Sequence, residues 1–303
     1  MSDLTVELSG VRLANPVMPA SGTFELDRLE NLAFDPATLG AVVNKTVFLD
    51  ARAGNPPPRI YETPCGMLNS IGIPSEGVES FLVRRLPLMR SLGPAVIVSL
   101  AEHSVSGFCK LAERVANTGL ADMLELDLSC PNIEQGTHWA TDADSLSEVV
   151  RSVTRAVPLP VIPKLSPSVV SIAEMAARAE DAGAAAVSMI NTYPGVVIDI
   201  ERKAPVLGNV YGGLSGPAIR PLAVGAVYAT YQRVRIPIIG MGGIVSGEDA
   251  VQFLLAGATA VAVGMANFVN PAAMRDVITG IDDYLSRHGF QSVNDIIGLA
   301  HRT

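Results

Sequence analysis

Cysteine is scarce in this chain, with three among 303 residues, at Cys65, Cys109 and Cys130. They are far apart, odd in number and form no C-x-x-C pair, which speaks against a disulfide framework and against an iron–sulfur cluster held by this chain alone. Aromatic residues are few as well, at 5% with one tryptophan, so there is no platform on which single-stranded bases could stack. Charged residues make up 17% and the formal net charge is −8. A surface of that sign does not attract a phosphodiester backbone, and nucleic acid is not an expected partner. No apolar run reaches the roughly 18 residues of a membrane helix, and the opening "MSDLTVELSG" lacks the basic-then-apolar order of a secretory leader. His103, His138, His288 and His301 have no metal-ligand spacing, so no metal is expected. These absences together predict a cytoplasmic protein without membrane attachment.

What is present is apolar and glycine-rich: 49% hydrophobic residues, 27 glycines and 21 prolines. Short apolar runs recur along the chain: "PVMPAS" (16–21), "AVVNKT" (41–46), "AVIVSL" (95–100), "MLELDL" (123–128), "PVIPKL" (160–165), "AAVSMI" (185–190), "IPIIG" (236–240) and "AVAVG" (260–264). Runs apolar on both faces suit parallel strands covered on both sides. Between them lie amphipathic stretches such as "VSIAEMAARAEDAG" and "SGEDAVQFLLAGA", each with a Ser near its start and an Ala-Gly at its end, the signals of helix start and stop. Eight such alternations predict an α/β fold, a (β/α)8 TIM barrel, formed by residues 1–303 as a single domain. The rival, an open doubly wound sheet, advertises a G-x-G-x-x-G after its first strand, and "ASGTFE" does not supply one. Two connections, 47–76 and 191–216, are unusually long and read as functional loops over the C-terminal face.

In this architecture chemistry gathers at the C-terminal strand ends. Those ends carry Ser21 and Gly22; Asn44, Lys45 and Thr46; Ser99; Asp127, Ser129, Cys130 and Asn132; Lys164; Asn191 and Thr192; and Gly242, Gly243 and Gly264. A lone cysteine is ordinarily a small hydrophobe, but Pro131 and Asn132 make Cys130 the start of a loop. Lysines at strand ends are seldom filler, because burying an ammonium without a partner is costly. The glycines after the seventh and eighth runs could serve turns alone, yet that corner of such barrels often binds phosphate. The set describes a site for an anionic, polar, planar ligand together with a phosphate.

The blocks "GNPPPRIYETPCGMLNSIGI", "SCPN", "PVIPKLSP", "GGLSGPAIRPLA", "IPIIGMGGI" and "AVAVGMANF" make the chain, over nearly its whole length, resemble class 1 dihydroorotate dehydrogenases, especially the B-type catalytic subunit that reaches NAD through a partner chain. The resemblance implies FMN as cofactor and oxidation of dihydroorotate to orotate in pyrimidine biosynthesis. By motif, Cys130 would be the catalytic base, and Lys45 would touch both flavin and substrate. Asn69, Ser70, Ile71, Gly72, Ile73, Asp127, Asn132, Asn191 and Thr192 would hold the substrate. Ser21, Lys45, Thr46, Ser99, Asp127, Lys164, Ile190, Gly216, Gly242, Gly243, Gly264 and Met265 would hold FMN. The partners implied are a second copy of this chain, forming a homodimer core, and an electron-transfer subunit carrying FAD and a 2Fe-2S cluster.

The chain departs from the family's pattern at specific places. Asp127 replaces an asparagine before "SCPN", Ser99 stands where another asparagine is frequent, and Met265 replaces a common threonine. The loop "SCPNIEQGTHWATD" looks shorter than usual. An ionised aspartate only accepts hydrogen bonds, and it would repel the carboxylate of dihydroorotate. Two other functions therefore stay open at this point: a flavin reaction on another dihydropyrimidine such as dihydrouracil, and a non-catalytic flavin-binding barrel.

Overall fold

The computed structural model of the chain describes residues 2–128 and 139–302. At its centre are eight parallel strands: β1 (Val17–Pro19), β2 (Ala41–Val43), β3 (Ala95–Leu100), β4 (Met123–Asp127), β5 (Val161–Leu165), β6 (Val187–Met189), β7 (Ile238–Met241) and β8 (Ala260–Val263). Each lies within or overlaps one of the eight apolar runs. Almost every residue in them is buried, because helices cover the outer face and packed side chains fill the inner one.

Neighbours in the sheet run β1–β8–β7–β6–β5–β4–β3–β2, which leaves β1 and β2 as the two ends. The gap between them is bridged by the Gly40 N–H, which donates to the Val17 carbonyl at 2.9 Å. Buried Asn15 reinforces the join: its Nδ2 donates to the Thr38 carbonyl at 2.7 Å, and its Oδ1 accepts from the Val17 N–H at 3.0 Å. The cylinder is thereby nearly closed, the (β/α)8 barrel expected. A hairpin of Val6–Leu8 and Val11–Leu13 lies against its N-terminal end, where the Ser9 hydroxyl donates to the Ala185 carbonyl.

The outer layer comprises α1 (Val78–Arg84) and α2 (Leu86–Ser91) after β2, α3 (Val105–Ala116) after β3, α4 (Ala143–Ala156) after β4 and α5 (Ile172–Asp181) after β5. It continues with α6 (Arg220–Tyr231) after β6, α7 (Gly247–Ala256) after β7, and α8 (Ala266–Val269) and α9 (Ala273–His288) after β8. Helix α3 shows how sequence dictates these elements. Ser104 caps it by accepting from the Gly107 N–H at 3.0 Å, and Phe108, Leu111, Ala112 and Val115 bury one face at helical spacing. Helix α7 begins with a Ser246–Asp249 capping box and stops at left-handed Gly257.

Two details refine the expected barrel. The connection from β1 to β2 contains no α-helix, only 3-10 turns at Leu26–Asn31 and Pro36–Thr38, because Asp35 and Pro36 form their own cap and turn there. The two long connections are also not merely loops. Ile60–Thr63 and Gly66–Asn69 from the first pair with Gly212–Ser215 and Tyr193–Gly195 from the second, as one four-stranded antiparallel sheet.

Candidate active site

That four-stranded sheet roofs the C-terminal mouth of the barrel, and the space below it is a cavity of about 580 Å³. Strand alternation decides what enters it. In β4, Glu125 and Asp127 project to the same side, and the register sets Asp127 beside Lys164 of β5. Lys164 and Asp127 both line the cavity although each residue is only 6% exposed. The Lys164 ammonium donates to Ser21 Oγ at 3.1 Å, joining the end of β5 to that of β1.

Lys45 enters from beyond β2. Desolvation by the surrounding protein lowers its pKa below the ordinary lysine value; Glu25 opposes that shift and the Arg59 charge adds to it. After Thr46 the chain runs beside β3, with the Val47 N–H donating to the Ser99 carbonyl at 3.0 Å. Thr46 is thereby seated on the cavity wall, 3.0 Å from Ser99 Oγ and 3.4 Å from Asp127 Oδ2.

The cavity brings together Ser21, Lys45, Thr46, Asp127, Lys164, Ile190, Asn191 and Thr192 at the strand ends with Asn69, Ile71, Gly72 and Ile73 from the first long connection. Gly216, Gly242, Gly243, Gly264 and Met265 line it too. Two residues expected there stand behind its wall instead. The Ser70 hydroxyl accepts from Asn55 Nδ2 at 3.0 Å and from Asn209 Nδ2 at 3.3 Å, and Ser99 is fully buried against Thr46 and Glu125. Cys130 and Asn132 lie outside the described residues. Of the other two cysteines, Cys65 sits exposed in the turn between two roof strands. On α3, burial and the Glu113 charge raise the pKa of the Cys109 thiol, which makes its thiolate scarcer.

Several further neighbours are not legible in the sequence. Met67, Pro194, Asn209, Tyr211, Gly212 and Gly213 reach the cavity only because the two long connections pair with each other. Glu125 was legible in principle, being two residues before Asp127 on a strand with period two.

The glycines describe what the cavity can hold. Gly242 and Gly243 have φ of +132° and +74°, so those positions need glycine for the backbone alone. Gly264 differs: its φ is ordinary, and a methyl group there would meet only Ala20 Cβ, at 3.7 Å. Neither backbone nor protein neighbours demand glycine, and the room it leaves opens on the cavity. Glycine backbone at one end, two ammonium groups and several hydroxyls and amides elsewhere form a donor set suited to a phosphorylated ligand with a polar planar ring. Among the described residues no group of three His, Cys, Asp or Glu could hold a metal ion.

A family model described as Dihydroorotate dehydrogenase matches residues 3–285. The chain belongs to that family. Relatives named "Dihydroorotate dehydrogenase B (NAD(+)), catalytic subunit" include one from Desulforudis audaxviator, 48% identical over 98% of this chain and 97% of its own. One from Geotalea daltonii is 45% identical over 98% of this chain and 97% of its own. Another, from Caldicellulosiruptor bescii, is 43% identical over 98% of each. The TIM barrel and the cavity at its mouth are thus those of a dihydroorotate dehydrogenase family member.

Proposed function

We propose that this chain oxidises dihydroorotate to orotate in pyrimidine biosynthesis, with FMN held in the cavity at the barrel mouth. The observation that carries the reading is the convergence of Lys45, Lys164, Asp127, Asn191 and Thr192 on one cavity in a chain of this family. The residues fit FMN. Backbone at Gly216, Gly242, Gly243 and Gly264 would take the phosphate, and Ser21, Thr46, Lys164 and Ile190 would hold the ring system. Bound FMN supplies a two-electron acceptor for the hydride that leaves the substrate ring.

The chain's own residues do the rest. Cys130, three residues beyond the end of β4, would remove the ring proton; a thiol serves as a general base where its pKa and position suit. Lys45, already short of water, would offset the substrate carboxylate at low further desolvation cost. Asn69, Asn191 and Thr192 offer amide and hydroxyl partners to the ring's carbonyl and N–H groups. The roof sheet would exclude water from the pocket.

No cluster ligands or dinucleotide fingerprint occur in this chain, so NAD would be reached through a separate subunit carrying FAD and a 2Fe-2S cluster, docked on a homodimer core. Exposed apolar side chains on and around the roof, among them Ile60, Ile198, Ile200 and Tyr211, support protein contacts near the mouth. The proposal includes a cytoplasmic setting and a single-domain barrel; among the described residues no helix is long and apolar enough to cross a membrane. The protein is expected to purify yellow with one FMN and no metal; a colourless protein that also fails to take up added FMN would contradict the reading.

A further inference from the structure

Beneath the cavity a chain of hydroxyls ends on a buried carboxylate. Glu125 is 5% exposed, and both its oxygens are met inside the barrel: the Ser99 hydroxyl donates to Oε1 at 3.1 Å and the Ser188 hydroxyl donates to Oε2 at 2.9 Å. Ser99 Oγ is in turn 3.0 Å from Thr46 Oγ1. Thr46 lines the cavity, whereas Glu125, Ser99 and Ser188 do not.

Each hydroxyl carries one proton and two acceptor lone pairs. A carboxylate only accepts, so the Ser99 proton is committed to Glu125 and Ser99 faces Thr46 as an acceptor. Of the two acceptors open to the Thr46 hydroxyl, Ser99 Oγ at 3.0 Å is within ordinary O–H···O range and Asp127 Oδ2 at 3.4 Å is beyond it, so this network sends the Thr46 proton down toward Ser99. A carboxylate two residues below the mouth thus fixes the direction of a hydroxyl on the cavity wall. We infer that Glu125, acting through Ser99, is a positioning residue: it makes Thr46 present lone pairs to the cavity and so to an N–H of the bound flavin. Ser99, in place of an amide, suits this relay because a single rotatable O–H passes the direction on. The inference rests on the reading that the cavity holds FMN.

Ser188 supplies the internal control. It donates to the same carboxylate and is equally buried, but it is not in the path to Thr46. The experiment measures FMN affinity of the flavin-free protein by fluorescence quenching, together with the absorption spectrum of the bound flavin, in wild type and in Ser99→Ala, Glu125→Met, the double variant and Ser188→Ala. Circular dichroism verifies that each is folded. Removing one directed hydrogen bond should weaken FMN by about tenfold. Ser99→Ala and Glu125→Met are each expected to show that loss with the same spectral shift. The double variant should be no worse than either single one, because both act through one hydroxyl. Ser188→Ala should bind FMN like wild type. Equal weakening by Ser188→Ala and Ser99→Ala would overturn the inference, reducing the network to packing, and so would unchanged affinity and spectrum in Ser99→Ala. A wild type that binds no FMN would overturn the flavin reading itself. Should Glu125→Met fail to fold, Ser99→Ala against Ser188→Ala still decides.

Discussion

At Asp127 the electrostatics of the cavity and the needs of the proposed substrate meet. Its carboxylate lines the cavity, next to Lys164 in register and 3.4 Å from Thr46. Dihydroorotate would bring a second carboxylate into the same space, where repulsion is screened poorly. Asparagine keeps the size and adds an N–H that can donate to Thr46 Oγ1. Asp127→Asn is therefore expected to raise kcat/KM for dihydroorotate about tenfold, roughly 1.4 kcal/mol, with a much smaller gain on neutral dihydrouracil. Steady-state rates on both substrates check this, and a collapse of dihydroorotate turnover would make Asp127 a working ligand. For Cys130 the expectation is different in kind. Cys130→Ala should keep FMN but lose turnover by about 10²–10⁴-fold, the usual contribution of a positioned base. Cys65→Ala and Cys109→Ala should change the rate little, since one thiol is exposed in a turn and the other is half-buried on α3. Comparable losses in all three would point to packing. Single residues such as Lys45, Asp127 and Lys164 were legible because a charge at the end of an apolar strand is costly to bury and so marks a place where something polar must meet it. Ser99 was legible as polar but not as a hidden partner of Thr46, since depth along a strand is invisible without its neighbours.

At the scale of elements, the strands were legible and the roof was not. Each barrel strand is a local apolar run whose burial follows from its own composition. The roof strands Gly66–Asn69 and Gly212–Ser215 are short, glycine-rich and far apart in sequence, so only their pairing makes them strands. That pairing has a consequence for the site. A methyl group on Gly213 would lie 1.9 Å from Thr192 Oγ1 and 2.6 Å from its Cβ, so the two elements meet only because this side chain is absent. Gly213→Ala is expected to displace Thr192 and raise KM for dihydroorotate about tenfold, in line with overpacking effects of roughly 1–3 kcal/mol, while FMN affinity stays near wild type. Equal losses of FMN and substrate would mean that the roof shapes the whole cavity. The first connection errs the other way: a helix expected from the repeating pattern gives way to 3-10 turns because Asp35 and Pro36 cap and stop the chain locally.

For the whole molecule, the barrel is a frame that brings distant strand ends to one cavity, and the cavity is the place where a reduced pyrimidine would give up two electrons. Among the described residues the family-specific blocks each contribute side chains or backbone to the walls of that cavity, which is why the sequence pointed to chemistry and architecture together. The most direct measurement is the absorbance spectrum of the purified chain, taken without oxygen before and after dihydroorotate is added. Loss of the flavin band on addition of dihydroorotate, with orotate formed in equal amount, is the expected result. A band that dihydroorotate leaves intact while dihydrouracil bleaches it would contradict the account.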